Sequence, residues 1–308
     1  MTAILIQKIL SLSLVMAAGF LLVRFGPLGP EDSRSLSRLT VYLVMPCSIF
    51  SAFQTERTPQ VLQWLGLVLL AAVLIHLGMM ALTVLIRRPF HLNGVEQASV
   101  IYTNAGNLVI PLVTAVLGPE WVIYTSAYIL VMTVLTWSHG KALLCGERSV
   151  DVPALLKNPN ILALTAGCLL FLLNIRLPKV LGDTLSTVGS MVGPLSMLVT
   201  GMLIGTMTAK ETLGNKRVWL VALLRLAVYP AFCVGLLALL GQIFPQSRGC
   251  LLVTLMSAAA PTASLVTHIC QLHGEDSGYA SAICVVNTLL CALSIPLAVT
   301  AYLAICPL

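Results

Sequence analysis

Apolar residues fill long stretches along almost the whole chain, and the charged residues lie in short loops between them. A helix needs about 20 mostly apolar residues to cross the hydrocarbon core of a bilayer. Hydropathy, together with the glycine and proline residues that interrupt helices, predicts ten membrane-spanning stretches, which we call segments 1 to 10. Their predicted ranges are 4–24, 36–53, 62–86, 94–117, 121–143, 159–174, 181–207, 218–243, 249–270 and 278–304. The pattern predicts an all-α polytopic membrane protein.

Composition strengthens this prediction and excludes other classes. The chain of 308 residues is 58% hydrophobic and 9% charged, whereas soluble domains carry roughly a quarter charged residues. The net charge of +6 does not indicate nucleic-acid binding, because the cations lie in loops beside the segments. The nine cysteines show no metal-ligand spacing, so we predict no metal site and no cofactor. The apolar run that ends at Val23 lacks a cleavage-site pattern and is interpreted as a retained first segment.

Helix-breaking residues recur at a nearly constant interval along the chain. Three pairs are separated by 148 residues and one by 150 residues: Gly19 and Gly167, Pro30 and Pro178, Pro46 and Pro194, and Pro111 and Pro261. Such spacing indicates an internal duplication. We predict two five-segment repeats, residues 1–144 and 159–308, joined by a cytoplasmic linker at 145–158. An odd number of crossings makes the second repeat inverted relative to the first.

The loop charges predict the orientation in the membrane. The loops after segments 1, 3, 5, 7 and 9 carry eleven lysines and arginines, whereas the loops after segments 2, 4, 6 and 8 carry four. Loops rich in cations face the cytoplasm. We therefore expect a multi-pass protein of the cell (inner) membrane with both termini outside the cytoplasm.

Segments 4 and 9 contain the residues best suited to bind a ligand. Asn104, Gly106, Asn107 and Pro111 predict that segment 4 breaks near 105–111, since proline removes a helix hydrogen bond and glycine loosens the backbone. Segment 9 repeats this design around Pro261. The two broken helices should cross near the bilayer midplane, where half-helix N-termini attract anions. The predicted binding residues are Thr103, Asn104, Gly106, Asn107, Pro111, Pro261, Thr262 and Ser264.

Other interpretations of these polar positions stay open. The two asparagines of segment 4 could instead hold neighbouring helices together. Arg225 in segment 8 is either a charge partner of an anion or a side chain that extends to the cytoplasmic surface. His268, beyond the break of segment 9, is a further candidate to face the cavity. Pro46 in segment 2 and Gly193 in segment 7 are interpreted as packing or hinge positions rather than ligand contacts.

Carboxylates are scarce inside the predicted segments. All eleven aspartates and glutamates lie in loops or near segment ends, and Glu96 comes closest to being an exception. Cation and proton antiporters usually need intramembrane acidic groups. The pattern therefore favours an anionic substrate over a cationic one.

Several motifs together resemble the auxin efflux carrier family, which includes plant PIN proteins and many bacterial transporters. The motifs are Thr103–Leu112 in segment 4, Tyr42–Phe50 in segment 2, Pro159–Leu162 at the start of segment 6, Pro261 in segment 9 and Ile295–Leu297 in segment 10. The resemblance implies crossed broken helices 4 and 9 in two inverted five-helix repeats, similar to bile acid symporters and sodium/proton antiporters. It also implies elevator-like alternating access and a contact between Asn104 and the substrate carboxylate. Unlike the plant members, this chain has no long hydrophilic central loop, and Val109 stands where related sequences often have glycine.

These observations predict a secondary transporter of a small organic anion, a mono- or dicarboxylate such as malonate or an auxin-like acid. The alternatives are a cation/proton exchanger on the same fold, which would use Glu96 or a histidine, and a membrane sensor that binds a ligand without moving it. We expect no enzyme, since the chain has no HExxH, GxSxG or intramembrane aspartate pair. The substrate, the direction of transport, coupling to Na⁺ or H⁺, and a homodimeric state stay open.

Overall fold

The computed structural model of the protein describes residues 2–54, 59–118, 121–146, 153, 156–206 and 213–307. Most of the predicted linker, 145–158, lies outside these ranges. Helices lie in each of the ten predicted stretches. The unbroken ones are Thr2–Arg24 (segment 1), Pro59–Arg87 (segment 3), Pro159–Leu172 (segment 6) and Ser277–Ile305 (segment 10).

The other segments consist of several helical pieces. Segment 2 has Pro30–Leu39, Thr40–Val44 and Met45–Ala52; segment 4 has Gly94–Ile101, Ala105–Val109 and Ile110–Val116; segment 5 has Val122–Leu135, Thr136–Gly140 and Lys141–Cys145. Segment 7 has Lys179–Ser190 and Val192–Gly205; segment 8 has Lys216–Leu223, Leu224–Val228 and Tyr229–Ile243; segment 9 has Arg248–Ala258 and Ser264–His273. A short 3₁₀ turn, Pro245–Ser247, precedes segment 9.

Six helices within the described residues are long and apolar enough to cross a membrane. They are Glu31–Ala52, Leu62–Arg87, Val122–Cys145, Lys179–Gly205, Lys216–Ile243 and Ser277–Ile305. Leu10–Arg24 and Pro159–Leu172 are shorter apolar helices. The protein is thus an all-helical, multi-pass membrane protein, and the crossing of all ten segments stays a prediction.

Polar side chains cap several helices where they begin. The Asn93 and Asn158 side chains accept hydrogen bonds from Glu96 N–H and Asn160 N–H, each 2.9 Å long. Asn215 caps segment 8 in the same way. The first N–H groups of a helix have no partner within the helix, so a side-chain acceptor at the start stabilises the helix by about 1 kcal/mol.

Prolines account for most of the irregular helical turns. Three of the four π-helical turns among the described residues end two residues before a proline: Pro46, Pro111 and Pro230. Proline lacks an N–H and clashes with the preceding turn. The helix therefore widens locally to the i→i+5 pattern instead of ending.

The helices pack as two bundles. Segments 1, 2, 6 and 7 form the first bundle, and segments 3, 4, 5, 8, 9 and 10 form the second. Within the first bundle, segment 1 packs on segment 7 and segment 6 packs on segment 2. The first segment of each half thus packs on the second segment of the other half. Gly19 lies against Leu198 of segment 7, and Gly167 lies against Phe50 of segment 2.

Candidate functional site

Segments 4 and 9 are each interrupted in the middle of the second bundle. The first half of segment 4 ends at Ile101, and Tyr102 has extended backbone angles (φ −92°, ψ 134°). The first half of segment 9 ends at Ala258, and Ala263 is extended (φ −63°, ψ 127°) before the helix resumes at Ser264. Segment 9 is thus interrupted around Pro261, as predicted. Segment 4 breaks at 102–104, just before the predicted stretch 105–111, which is itself helical.

The two unwound stretches cross and satisfy each other's backbone. Thr103 and Thr262 form an isolated antiparallel β-bridge. Asn104 N–H donates to the Pro261 carbonyl (2.8 Å), and Ala263 N–H donates to the Tyr102 carbonyl (3.0 Å). Open backbone at membrane depth is tolerated only when protein groups or a cavity satisfy it. The crossing meets this requirement with main-chain hydrogen bonds.

A small cavity of about 70 Å³ lies beside the crossing. Its lining includes the starts of both second half-helices, at Asn104, Gly106 and Asn107 in segment 4 and at Ala263 and Ser264 in segment 9. The Asn107 amide Nδ2 donates to Ser264 Oγ over 3.1 Å and joins the two helix starts. The cavity therefore lies where two helix N-termini meet.

Asn104 offers a polar group to this cavity. Its side chain is 5% exposed and makes no hydrogen bond with the described part of the protein. An amide in this position can donate or accept two hydrogen bonds. Because leaving it unpaired costs free energy, the site favours a polar occupant.

The electrostatic environment favours an anion in this cavity. Helix N-termini carry partial positive charge and N–H groups without helical partners. Both second halves present such ends here, and none of the described lining residues is acidic. The same arrangement, helix N-termini at a cavity, binds carboxylates and phosphates in soluble and membrane proteins.

A wider cavity of about 400 Å³ adjoins the small one. The two share lining residues, among them Ser48, Gly106 and Asn107. The wider cavity extends to Ser51 and Val122, near the end of segment 2 and the start of segment 5. These ends belong to the side whose loops carry few cations.

Arg225 lies on the opposite side of the crossing, where the first halves of segments 4 and 9 end. Its side chain is fully buried. Its guanidinium donates to the Val100 carbonyl (Nη1, 2.9 Å), the Ala260 carbonyl (Nε, 3.0 Å; Nη2, 2.6 Å) and the Ala258 carbonyl. These carbonyls lie at or just beyond the C-terminal ends of the two first halves. A cation is favourable there, because helix C-termini carry partial negative charge.

Comparison with protein families identifies the chain. It matches the family described as membrane transport protein over two stretches, residues 4–152 and 148–299. This chain belongs to that family. The match confirms the resemblance to the auxin efflux carrier family. A search of curated proteins finds no match.

The predicted site residues of this membrane transport protein separate into two groups. Thr103, Asn104, Gly106, Asn107 and Ser264 line the small cavity. The other predicted contacts, Pro261 and Thr262, serve the crossing, and Pro111 is the second residue of the helix Ile110–Val116.

Thr262 illustrates the structural role of the second group. Its Oγ1 donates to the Ser99 carbonyl over 2.9 Å and accepts from Asn287 Nδ2 over 3.0 Å. Its hydroxyl therefore binds two neighbouring segments, 4 and 10. Thr262 holds the crossing together and does not line the cavity.

The two proposed charge partners do not line the cavity either. The interpretation that Arg225 extends to the membrane surface is wrong, because the side chain is fully buried on backbone carbonyls. His268 is buried between the two bundles, with Nδ1 2.9 Å from Ser37 Oγ and Nε2 3.1 Å from Ser196 Oγ. Both residues bind protein groups in the described structure.

Sequence reasoning missed most of the cavity wall. The missed polar and aromatic lining residues are Ser48 of segment 2, and Thr133, Thr136 and Trp137 of segment 5. Ser48 lies two residues after Pro46, which we interpreted as a packing or hinge position. The threonine spacing in segment 5 was the available signal, because residues three apart on a helix share one face.

Glu96 is held in an ion pair away from both cavities. Its carboxylate lies 2.5 Å from Arg217 Nη2 and accepts a hydrogen bond from the Tyr279 hydroxyl (2.6 Å). It also accepts from Asn93 N–H over 2.8 Å. Glu96 thus caps segment 4 and connects it to segments 8 and 10.

Proposed function

We propose that this protein is a secondary active transporter that carries a small organic anion, a mono- or dicarboxylate, across the cell membrane. The observation that carries the proposal is the meeting of two helix N-termini and the unpaired Asn104 amide at one cavity. Family membership supports transport, and the local electrostatics support the anion.

Cavity size favours a small ligand. Sites for drug-sized molecules usually measure about 300–1,000 Å³, whereas the cavity at the crossing measures about 70 Å³. A carboxylate group fits beside Asn104 and the two helix starts. A longer substrate such as a dicarboxylate or an auxin-like acid extends into the wider cavity past Asn107.

The proposed topology has ten crossings in two inverted five-segment repeats. Support comes from the paired breaks in segments 4 and 9 and from the equivalent contacts of segments 1 and 6 in the first bundle. The cavity lies between bundles: Ser48 and Val192 come from the first, and Asn104 and Thr136 come from the second. Sliding of one bundle against the other exposes such a site to each side in turn, as in an elevator.

The exchanger alternative has little support in the described structure. Glu96 is bound by Arg217 and Tyr279 and does not line either cavity. A sensor would share the binding site but would not move its ligand. Flux measurements therefore separate a sensor from a transporter.

The test is ligand protection of the purified protein, followed by flux in proteoliposomes. We expect at least one small carboxylate to raise the melting temperature by binding the folded state. Asn104→Ala should weaken affinity about 10- to 100-fold, since a hydrogen bond to a charged group contributes about 1.5–3 kcal/mol. Asn104→Asp should weaken it further by charge repulsion.

The control is Thr165→Ala, which removes an exposed hydroxyl of segment 6 that is bonded only to its own helix. This variant should bind like the unmodified protein. Equal affinity in Asn104→Ala and in the unmodified protein would refute the site. Binding without any carboxylate flux would favour the sensor.

A further inference from the structure

We propose that Arg225 is a built-in cation that occupies the cation-binding position of the crossed helices, so that substrate binding requires no sodium ion. This inference rests on the proposed function, because it concerns the coupling of the same site. It assigns a role to the one fully buried arginine among the described residues, and that role is positioning rather than direct contact with the substrate.

The crossing has two chemically opposite sides. The cavity side gathers the N-termini of the two second halves, and Arg225 lies at the C-termini of the two first halves. The last carbonyls of a helix have no helical partner and carry partial negative charge. In transporters with broken helices, such carbonyls coordinate the coupling Na⁺ or H⁺.

The guanidinium binds three carbonyls of these two helix ends. Nε and Nη2 bind Ala260, Nη2 also binds Ala258, and Nη1 binds Val100. The remaining Nη1 donor points to Met79 Sδ at 3.8 Å. All five N–H groups of the guanidinium therefore have partners, and the carbonyls that would bind a metal ion are engaged.

Backbone dipoles alone compensate the positive charge. Among the described residues no carboxylate pairs with Arg225, and its oxygen partners are all main-chain carbonyls. A buried charge without compensation costs several kcal/mol. The arginine and the two helix ends therefore depend on each other, and removal of the charge should loosen the crossing that shapes the anion cavity.

The first experiment measures ligand protection in sodium, potassium and N-methylglucamine buffers of equal ionic strength. We expect the protective carboxylate to raise the melting temperature equally in all three. Protection that appears only in sodium, or sodium-specific stabilisation of the ligand-free protein, would overturn the inference.

The second experiment uses two variants of Arg225. Arg225→Ala should lose ligand affinity by about tenfold or more, because the loosened crossing no longer holds the anion cavity in shape. Millimolar guanidinium should restore part of that affinity, and equimolar potassium should not. Arg225→Lys keeps the positive charge, so this variant should bind the carboxylate more tightly than Arg225→Ala does. Unchanged affinity in Arg225→Ala without an added cation would refute the role.

The two proposals fail in distinguishable ways. If no carboxylate protects the unmodified protein, the proposed function fails. The cation role is then decided on ligand-free protein, by whether guanidinium, but not potassium, raises the melting temperature of Arg225→Ala. If Arg225→Ala does not fold, Arg225→Lys and the sodium comparison on the unmodified protein decide the question.

Discussion

At the scale of single residues, Glu96 illustrates how its partners determine the role of a carboxylate in a membrane protein. It is 1% exposed, whereas its partner Arg217 is 37% exposed at the side chain. Arg217 also donates to the carbonyls of Phe90 and His91, each over 2.7 Å. The pair therefore fastens the loop before segment 4 to the start of segment 8, and Glu96 is unsuited to exchange protons with a substrate cavity.

We predict that Glu96→Gln lowers stability and leaves transport intact. The neutral amide loses the charged hydrogen bonds to Arg217, which contribute about 1–3 kcal/mol. The ligand-free melting temperature should fall, and the ligand-induced increase should stay the same across pH. Glu275→Gln, at a loop position, is the control and should change neither quantity. Loss of pH-dependent flux in Glu96→Gln would instead support the exchanger.

At the scale of helical elements, small residues determine how closely segments 1 and 7 approach. A Cβ built on Gly201 would lie 1.9 Å from the Met16 carbonyl oxygen, and one on Gly19 would lie 2.2 Å from the Leu198 carbonyl oxygen. These neighbours are backbone atoms, which cannot rotate away. The first bundle thus depends on glycine at both positions, as is common where membrane helices pack closely.

We predict that Gly201→Ala destabilises the protein by about 1–3 kcal/mol through overpacking. Thermal unfolding of the detergent-solubilised variant measures the effect. Gly66→Ala is the matched control, because nothing lies within 4 Å of its added Cβ. It should be neutral or slightly stabilising, since alanine favours helices more than glycine does. A Gly201→Ala protein as stable as Gly66→Ala would contradict the close packing.

At the scale of the whole molecule, polar contacts join the bundles on the side opposite the wider cavity. Ser37 of segment 2 bonds to His268 and Gln271 of segment 9, and Gln271 Nε2 donates to Ser33 Oγ over 2.5 Å. Ser196 of segment 7 completes the set. In the proposed elevator these contacts close the cytoplasmic side and must separate when the bundles slide.

A cross-link between Ser37→Cys and Gln271→Cys tests this motion in a background without the native cysteines. Once a short bis-maleimide, which adds one thiol at each end, joins the two, flux should stop and ligand binding should persist, because the cavity on the other side stays open. The single variants treated with the same reagent should keep their flux. Continued flux through the cross-linked protein would exclude bundle sliding at this contact.

The sequence by itself determined the helical stretches, the breaks and the polar residues at them. Hydropathy and the missing proline N–H act locally, so segments 4 and 9 and the residues Asn104 and Asn107 could be predicted without a fold. Only the tertiary structure decided what Arg225, His268 and Glu96 bind. Their partners lie on other segments, far along the chain, and the choice depends on which helix ends and carbonyls packing brings together. For the same reason the segment 5 wall was not predicted: the spacing of Thr133 and Thr136 puts them on one helix face, but only packing decides what that face meets.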